Sequence, residues 1–250
     1  MSEHREEVKV AVVVASSDGY RDLWRPFFTL FFRYWPDCPH PIYLATNEAR
    51  FDDPRVRTVM SGPDHDWSSS FRRVLEQIDE PWLIVLLEDY LFTGPVETER
   101  LRGLVAYAAD SQATCLRLAP VPGVADGRPD RPDVGEIVPG TPYRISLQAA
   151  IWNRDGLLAL LRDGESAWEL ELVGSQRTIT DPNPYLSVLN GARWPVPYFC
   201  TAVVRGLWLR NALAICRREG VPVDLSSREK EPMLAFLRRR ARLGRFRHRS

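Results

Sequence analysis

Two carboxylates stand side by side at Glu88 and Asp89, directly after the apolar run Trp82-Leu83-Ile84-Val85-Leu86-Leu87. A carboxylate pair at the end of a buried strand suits a hard divalent cation, Mg²⁺ or Mn²⁺. Such ions take one or two carboxylates from a protein and complete their shell on phosphate oxygens. A cation held there offsets negative charge developing on a departing diphosphate. The plainer use of the pair is to open a solvated turn. A second acidic pair, Glu169 and Glu171 in Trp168-Glu169-Leu170-Glu171, is the candidate source of a general base for an acceptor hydroxyl. On a strand the two share a face. On a helix they diverge by about 200°, which leaves only one of them for the role. Trp152 and Trp168 flank this region and offer aromatic faces to a sugar ring, although tryptophan in such stretches more often belongs to a core. The histidines His4, His40, His65 and His248 are scattered without ligand spacing and complete no nucleophile triad.

The elements that must position these groups begin with residues 8–15, a β-branched run too apolar for a one-sided strand and therefore expected to be buried on both faces. The polar loop Ser16-Ser17-Asp18-Gly19 follows, then a helix over 20–34 closed by Pro36. Residues 41–46 and 56–60 read as strands. Asp66 to Ser70 supply capping residues for a helix reaching Ile78, and 82–87 is a second strand buried on both faces. Strands alternating with helices at this spacing indicate an α/β sheet with crossovers, whose ligands bind outside the carboxyl ends of the strands. Chemistry is thus expected in the loops after residues 15, 46 and 87. The Pro-, Gly- and Asp-rich stretch 120–142 is long enough to read as a lid or acceptor loop. Beyond it the sequence suggests a strand over 143–151 and helices over 155–161, 183–190 and 207–219.

Strand, polar loop, helix and then an acidic pair after a second apolar strand resembles the metal-binding Asp-x-Asp region of A-type glycosyltransferases, with Glu88-Asp89-Tyr90 as a degenerate version. The segments Ser146 to Trp152, Trp168 to Glu171 and Arg205-Gly206-Leu207-Trp208 are similar to those of small bacterial glycosyltransferases from polysaccharide and natural-product clusters. The likeness spans roughly residues 8–228. It implies a single Rossmann-like domain over 1–235 with a central, mostly parallel sheet flanked by helices. Its nucleotide-binding half would be about 8–95 and its acceptor half about 96–235, followed by a basic tail over 236–250. The implied activity is transfer of a sugar from a nucleotide diphosphate donor to a glycan or small-molecule acceptor. By position, Asp89 is then the main metal or diphosphate ligand, assisted by Glu88. Ser16, Ser17, Asp18, Asp66, Ser68 and Arg72 fall in the donor site, Arg72 through its guanidinium fork. Gln148, Trp152 and Trp168 fall on the acceptor or sugar, and Glu171 takes the place of the family acid ahead of Glu169. Tyr90 stands where many members carry a second Asp, which puts metal dependence in question.

A nucleotidyltransferase of related architecture is the rival, although Ser16-Ser17-Asp18-Gly19 lacks the glycine-rich phosphate loop it wants. A non-catalytic sugar- or nucleotide-binding protein of the same fold is the other. Bulk composition narrows the partners. The 250 residues are 44% hydrophobic and carry 33 basic against 33 acidic side chains, a balance that disfavours nucleic acid. Cys38, Cys115, Cys200 and Cys216 have no CxxC spacing, and the polar start Met1 to Glu7 is unlike a signal peptide. A cytoplasmic protein is expected. The basic stretch Arg238 to Arg249, with Leu243 and Phe246 interspersed, suits peripheral contact with an anionic inner-membrane face.

Overall fold

The structure is a computed structural model that describes residues 8–121, 123–199 and 201–239. Met1 to Glu7, Cys200 and most of the basic tail, 240–250, lie outside the described residues. In chain order the chain forms β1 (Val10–Ala15), α1 (Arg21–Tyr34), β2 (Ile42–Thr46), β3 (Arg57–Met60), α2 (Trp67–Leu75), β4 (Trp82–Leu87), β5 (Leu91–Phe92), α3 (Thr98–Asp110) and β6 (Cys115–Arg117). Then come β7 (Val134–Glu136), β8 (Ala150–Asn153), α4 (Arg154–Leu160), α5 (Ala167–Glu169), α6 (Ser175–Arg177), β9 (Tyr185–Val188), β10 (Tyr198–Phe199), β11 (Val203–Val204), β12 (Leu207–Trp208) and α7 (Arg210–Arg218). No helix among the described residues is long and apolar enough to cross a membrane.

Two compact units emerge, and the first, 1–18, 37–87 and 96–197, draws on both halves expected from the sequence. It holds an eight-stranded sheet in the order β3-β2-β1-β4-β8-β6-β9-β7. The first four strands run parallel, and β8 and β7 run against their neighbours. The expected α/β class, with a mostly parallel sheet and flanking helices, is what forms. Every residue of β1 is buried, as the unbroken apolar run requires of a strand covered on both faces. Helices α2, α3 and α4 lie against this sheet. The second unit, 19–36, 88–95 and 198–250, is built on α1, whose Phe27 and Phe31 meet Phe92 of β5 at ring-centroid distances of 5.7 and 5.3 Å.

Three expectations are corrected. Within residues 183–190, Tyr185–Val188 form the strand β9 instead of a helix. Asn183 N–H donates to Asp181 Oδ1 at 2.9 Å in a local turn, and all of Tyr185 to Val188 is buried, so periodicity did not separate helix from strand. Residues 207–219 split into β12 and α7. The strand expected over 143–151 begins only at Ala150. Upstream of it, side chains take the backbone N–H groups: Ile145 donates to Ser175 Oγ at 3.0 Å and Leu147 to Glu171 Oε1 at 2.7 Å.

The 120–142 stretch is also more tied down than a lid. Its middle pairs β7 antiparallel to β9, and Arg128 N–H donates to Val134 O at 2.8 Å. Gly135 is required there because a Cβ would sit 2.3 Å from Asp126 O. Gly135→Ala should therefore cost about 1–3 kcal/mol by overpacking, lowering the melting temperature by roughly 2–4 °C per kcal/mol. A thermal melt within 1 °C or so of wild type would mean that this edge is not packed as described.

Candidate functional site

A narrow cavity of about 140 Å³ opens at the carboxyl ends of β1 and β2, lined by Ala15, Ser16, Ser17, Thr46, Asn47, Ser61, Asp64, His65, Asp66, Trp67, Ser70 and Phe71 among others. This is the crevice position that an α/β sheet of this kind makes available. Its mixed lining of hydroxyls, an amide and two aromatic rings matches a planar polar group, and its volume matches a nucleobase better than a whole nucleotide sugar.

Asp18 builds this slot without lining it. Its carboxylate accepts N–H bonds from Asn47 at 3.0 Å, Glu48 at 3.0 Å and Ala49 at 2.9 Å, while Asn47 Oδ1 accepts from Asp18 N–H at 3.0 Å. The loops after β1 and β2 are thereby locked to each other. Asp66 caps α2, accepting from Ser69 N–H at 2.8 Å and Ser69 Oγ at 2.7 Å. Burial works to raise its carboxyl, but hydrogen bonds from Ser69 and the Gly164 backbone outweigh it and hold the group below the usual range.

Two other donor-site expectations fall elsewhere. Ser68 is fully buried with its hydroxyl unpartnered and does not face the slot. Arg72 donates to the carbonyls of Leu158 and Leu161 at the end of α4 and pairs with Asp163 at 3.4 Å. Its fork is spent on a helix C-terminus, where the macrodipole favours a cation. Asn47, Ser61 and Trp67 were missed, although the loop after residue 46 carried the topological signal.

A wider cavity of about 520 Å³ lies elsewhere in the same unit, lined by Val121, Thr141, Pro142, Tyr143, Ser146, Gln148, Trp168 and Glu171. Gln148, Trp168 and Glu171 therefore come together as the sequence suggested. Trp168 is 66% exposed, which leaves its ring face open. Trp152 does not join them: it is buried in the core, on β8, and its role as a sugar platform is withdrawn on that ground.

The two glutamates separate cleanly. Glu169 closes a capping box, accepting from Ser166 N–H and Oγ at 2.7 Å each, and these bonds hold its carboxyl below the usual range. Glu171 sits in a π-helical turn, Leu170–Gly174, a local widening that often marks functional positions. Its Oε1 accepts from Leu147 N–H at 2.7 Å and Ser146 Oγ at 3.2 Å, leaving Oε2 without a hydrogen bond among the described residues.

The second unit contains Glu88 and Asp89, both buried. Asp89 Oδ2 accepts from Thr201 Oγ1, its carbonyl accepts from Ala202 N–H at 2.8 Å, and its Oδ1 is buried with no partner among the described residues. Burial pushes the Asp89 carboxyl up to about 7, with backbone N–H groups of Asp89 and Val203 pulling it down. Among the described residues no cluster of three or more His, Cys, Asp or Glu could hold a metal alone. An orphaned carboxylate oxygen beside a second carboxylate does fit a cation that arrives on a diphosphate and needs few protein ligands. Sequence reasoning missed Arg228 in this unit. Its guanidinium pairs with Asp22 at 3.0 Å, lies over the Tyr20 ring at 4.9 Å, and has its charge reinforced by Glu88.

This architecture matches that of the UTP-bound UGPase from Acinetobacter baumannii, with a TM-score of 0.50 at 14% identity over 94% of this chain and 99% of that one. The likeness is one of fold. Weaker matches are the 2-C-methyl-D-erythritol 4-phosphate cytidylyltransferase from Thermus thermophilus (TM-score 0.46, 15% identity, 85% of this chain and 100% of that one) and S. aureus TarS (0.40, 11%, 72% and 36%). No protein-family model matches the sequence, and no curated protein does. The Rossmann-like α/β arrangement expected from the acidic-pair motif therefore stands on fold.

The elevated Asp89 carboxyl has a consequence for stability. Between the ordinary carboxylate value and about 7, the folded chain keeps a proton that the unfolded chain has lost. Stability from this group is therefore fully present below the unfolded value, declines as pH rises, and is gone above about 7. Asp89→Asn has no proton to lose. Its melting temperature relative to wild type should rise by at least about 2 °C between about pH 5 and about pH 8. A difference that is constant across that range would show that Asp89 is solvated.

Proposed function

We propose that the protein is a glycosyltransferase that takes a sugar from a nucleotide diphosphate donor and passes it to a hydroxyl acceptor. The observation that carries this reading is Glu171, a carboxylate fixed through one oxygen by the 146–147 loop, with the other oxygen unbonded among the described residues, in an open cavity beside Gln148 and an exposed Trp168. A carboxylate so placed can take the acceptor proton as the acceptor oxygen bonds to the anomeric carbon. The bond from that carbon to the diphosphate breaks, and the nucleoside diphosphate leaves with the electron pair. Trp168 offers its face to the acceptor ring, and Gln148 offers an amide to its hydroxyls. The slot at the ends of β1 and β2 takes the base. In the second unit, taken by itself, Asp89 and Glu88 would hold a divalent cation of the kind that offsets charge on a diphosphate.

A nucleotidyltransferase is the second reading, and the UTP-bound UGPase of like fold favours it. The loop after β1 weighs against it. That loop offers Gly19 alone, and its Asp18 N–H is already taken by Asn47 Oδ1, so it lacks the glycine-rich run of a triphosphate cradle. The products separate the readings. A glycosyltransferase supplied with nucleotide diphosphate sugars releases nucleoside diphosphate, whereas a nucleotidyltransferase supplied with nucleoside triphosphates and sugar 1-phosphates releases pyrophosphate. A non-catalytic binding protein of this fold releases neither.

In the transfer assay Glu171→Gln should lower turnover by about 10²-fold or more while donor affinity, read by calorimetry, barely changes. Glu169→Gln should lose far less, because its carboxylate caps a helix. Asp89→Asn should lower turnover by at least about tenfold. A greater loss from Glu169→Gln than from Glu171→Gln would move the base to the capping residue and contradict the assignment.

A further inference from the structure

The last described segment of the second unit, 233–239, is helical. Met233, Leu234 and Leu237 are 53%, 60% and 52% exposed, and at i, i+1 and i+4 they share one side of the helix. The helix is held by Arg239, whose Nε and Nη2 donate to Glu231 at 3.0 and 2.8 Å. The Glu231 carbonyl in turn accepts from Arg210 Nε at 2.8 Å. Arg210 belongs to a groove of about 420 Å³ in the same unit, whose walls include Leu213, Val221 and Leu225 and which also carries Arg217 and Lys230. The sequence then continues with arginine at 238, 239, 240, 242, 245, 247 and 249 and no acidic residue.

We propose that this face of the second unit, the 233–239 helix with the cationic groove joined to it through Glu231, docks on an anionic lipid surface. The chemistry argues for a bilayer over other anions. Exposed aliphatic side chains enter the headgroup region and lose contact with water, while flanking arginines gain from anionic headgroups. Nucleic acid would reward the arginines and leave the three aliphatic side chains wet. The charge complementarity is local, since the whole chain is formally neutral. A membrane at this face suits an acceptor carried on a lipid, but the docking itself is independent of the transferase reading.

The test is flotation of the full chain with vesicles of phosphatidylcholine alone and of phosphatidylcholine mixed with phosphatidylglycerol, at low and high salt. Binding should require phosphatidylglycerol and weaken with salt. Leu234→Glu combined with Leu237→Glu should reduce partitioning at least about tenfold without changing the thermal melt. Leu234→Ser with Leu237→Ser repeats the test should the glutamates perturb folding. Deleting 240–250 should weaken binding and flatten its salt dependence. Equal binding to both vesicle types, or wild-type binding by both leucine variants, overturns the proposal. So does a wild type that is dimeric by analytical ultracentrifugation, becomes monomeric in the leucine variants and ignores vesicles, because the face would then join two copies of the chain.

Discussion

Six residues of β1 pair in parallel with six of β4, from Val10 opposite Trp82 to Ala15 opposite Leu87, and the sheet of the first unit is built outward from that ladder. Both strands are apolar throughout, so each must be covered on two faces, and a parallel pair of this kind needs crossover connections. Those connections carry the capped helix α2 and bring β2 and β3 to the far side of β1. The register also fixes where the chain departs. Ala15 leads into the serines of the slot, and Leu87 leads into Glu88 and Asp89. A one-residue slip of either strand would exchange the side chains facing its two layers and displace the loop it feeds.

Charged groups in this protein do structural work at the places where chemistry was anticipated. Asp18 satisfies three backbone N–H groups that would otherwise be lost to the sheet, and Arg72 satisfies two carbonyls at a helix end. Glu171 combines both functions. One oxygen replaces a missing strand partner for Leu147, and that bond sets the position of the carboxylate in the cavity. At Gly174, the last residue of the π turn that presents it, a Cβ would press 3.1 Å against the side-chain ends of Ile145 and Leu170.

The first 87 residues were legible because β1, β2 and β4 are nearly unbroken apolar runs separated by polar loops, with a clear cap at Asp66. Legibility falls after Glu88. Strand β6 is only Cys115–Arg117 and includes a fully buried arginine, a residue that reads as surface. Strand β9 follows Asn183-Pro184, whose turn chemistry resembles a helix start. Helix α3 did carry a signal in the spacing of its buried Leu101, Leu104, Val105 and Ala108. Among the candidate site residues, Trp168 was named from its residue type and Gln148 and the choice of Glu171 from the resemblance, and the three line one cavity. Asn47, Ser61 and Arg228 depended on contacts distant in sequence, such as the Asp18 lock and the Arg228 pair with Asp22.

The central claim is that the slot at the ends of β1 and β2 receives the base of a nucleotide diphosphate sugar, leaving the Glu171 cavity for the acceptor. A crystal structure of the protein soaked with such a donor and Mn²⁺ tests it most directly. The account predicts the base enclosed by Asn47, Ser61 and Trp67, with the Glu171 cavity free of nucleotide. A base lodged instead against Trp168 and Glu171 would contradict it.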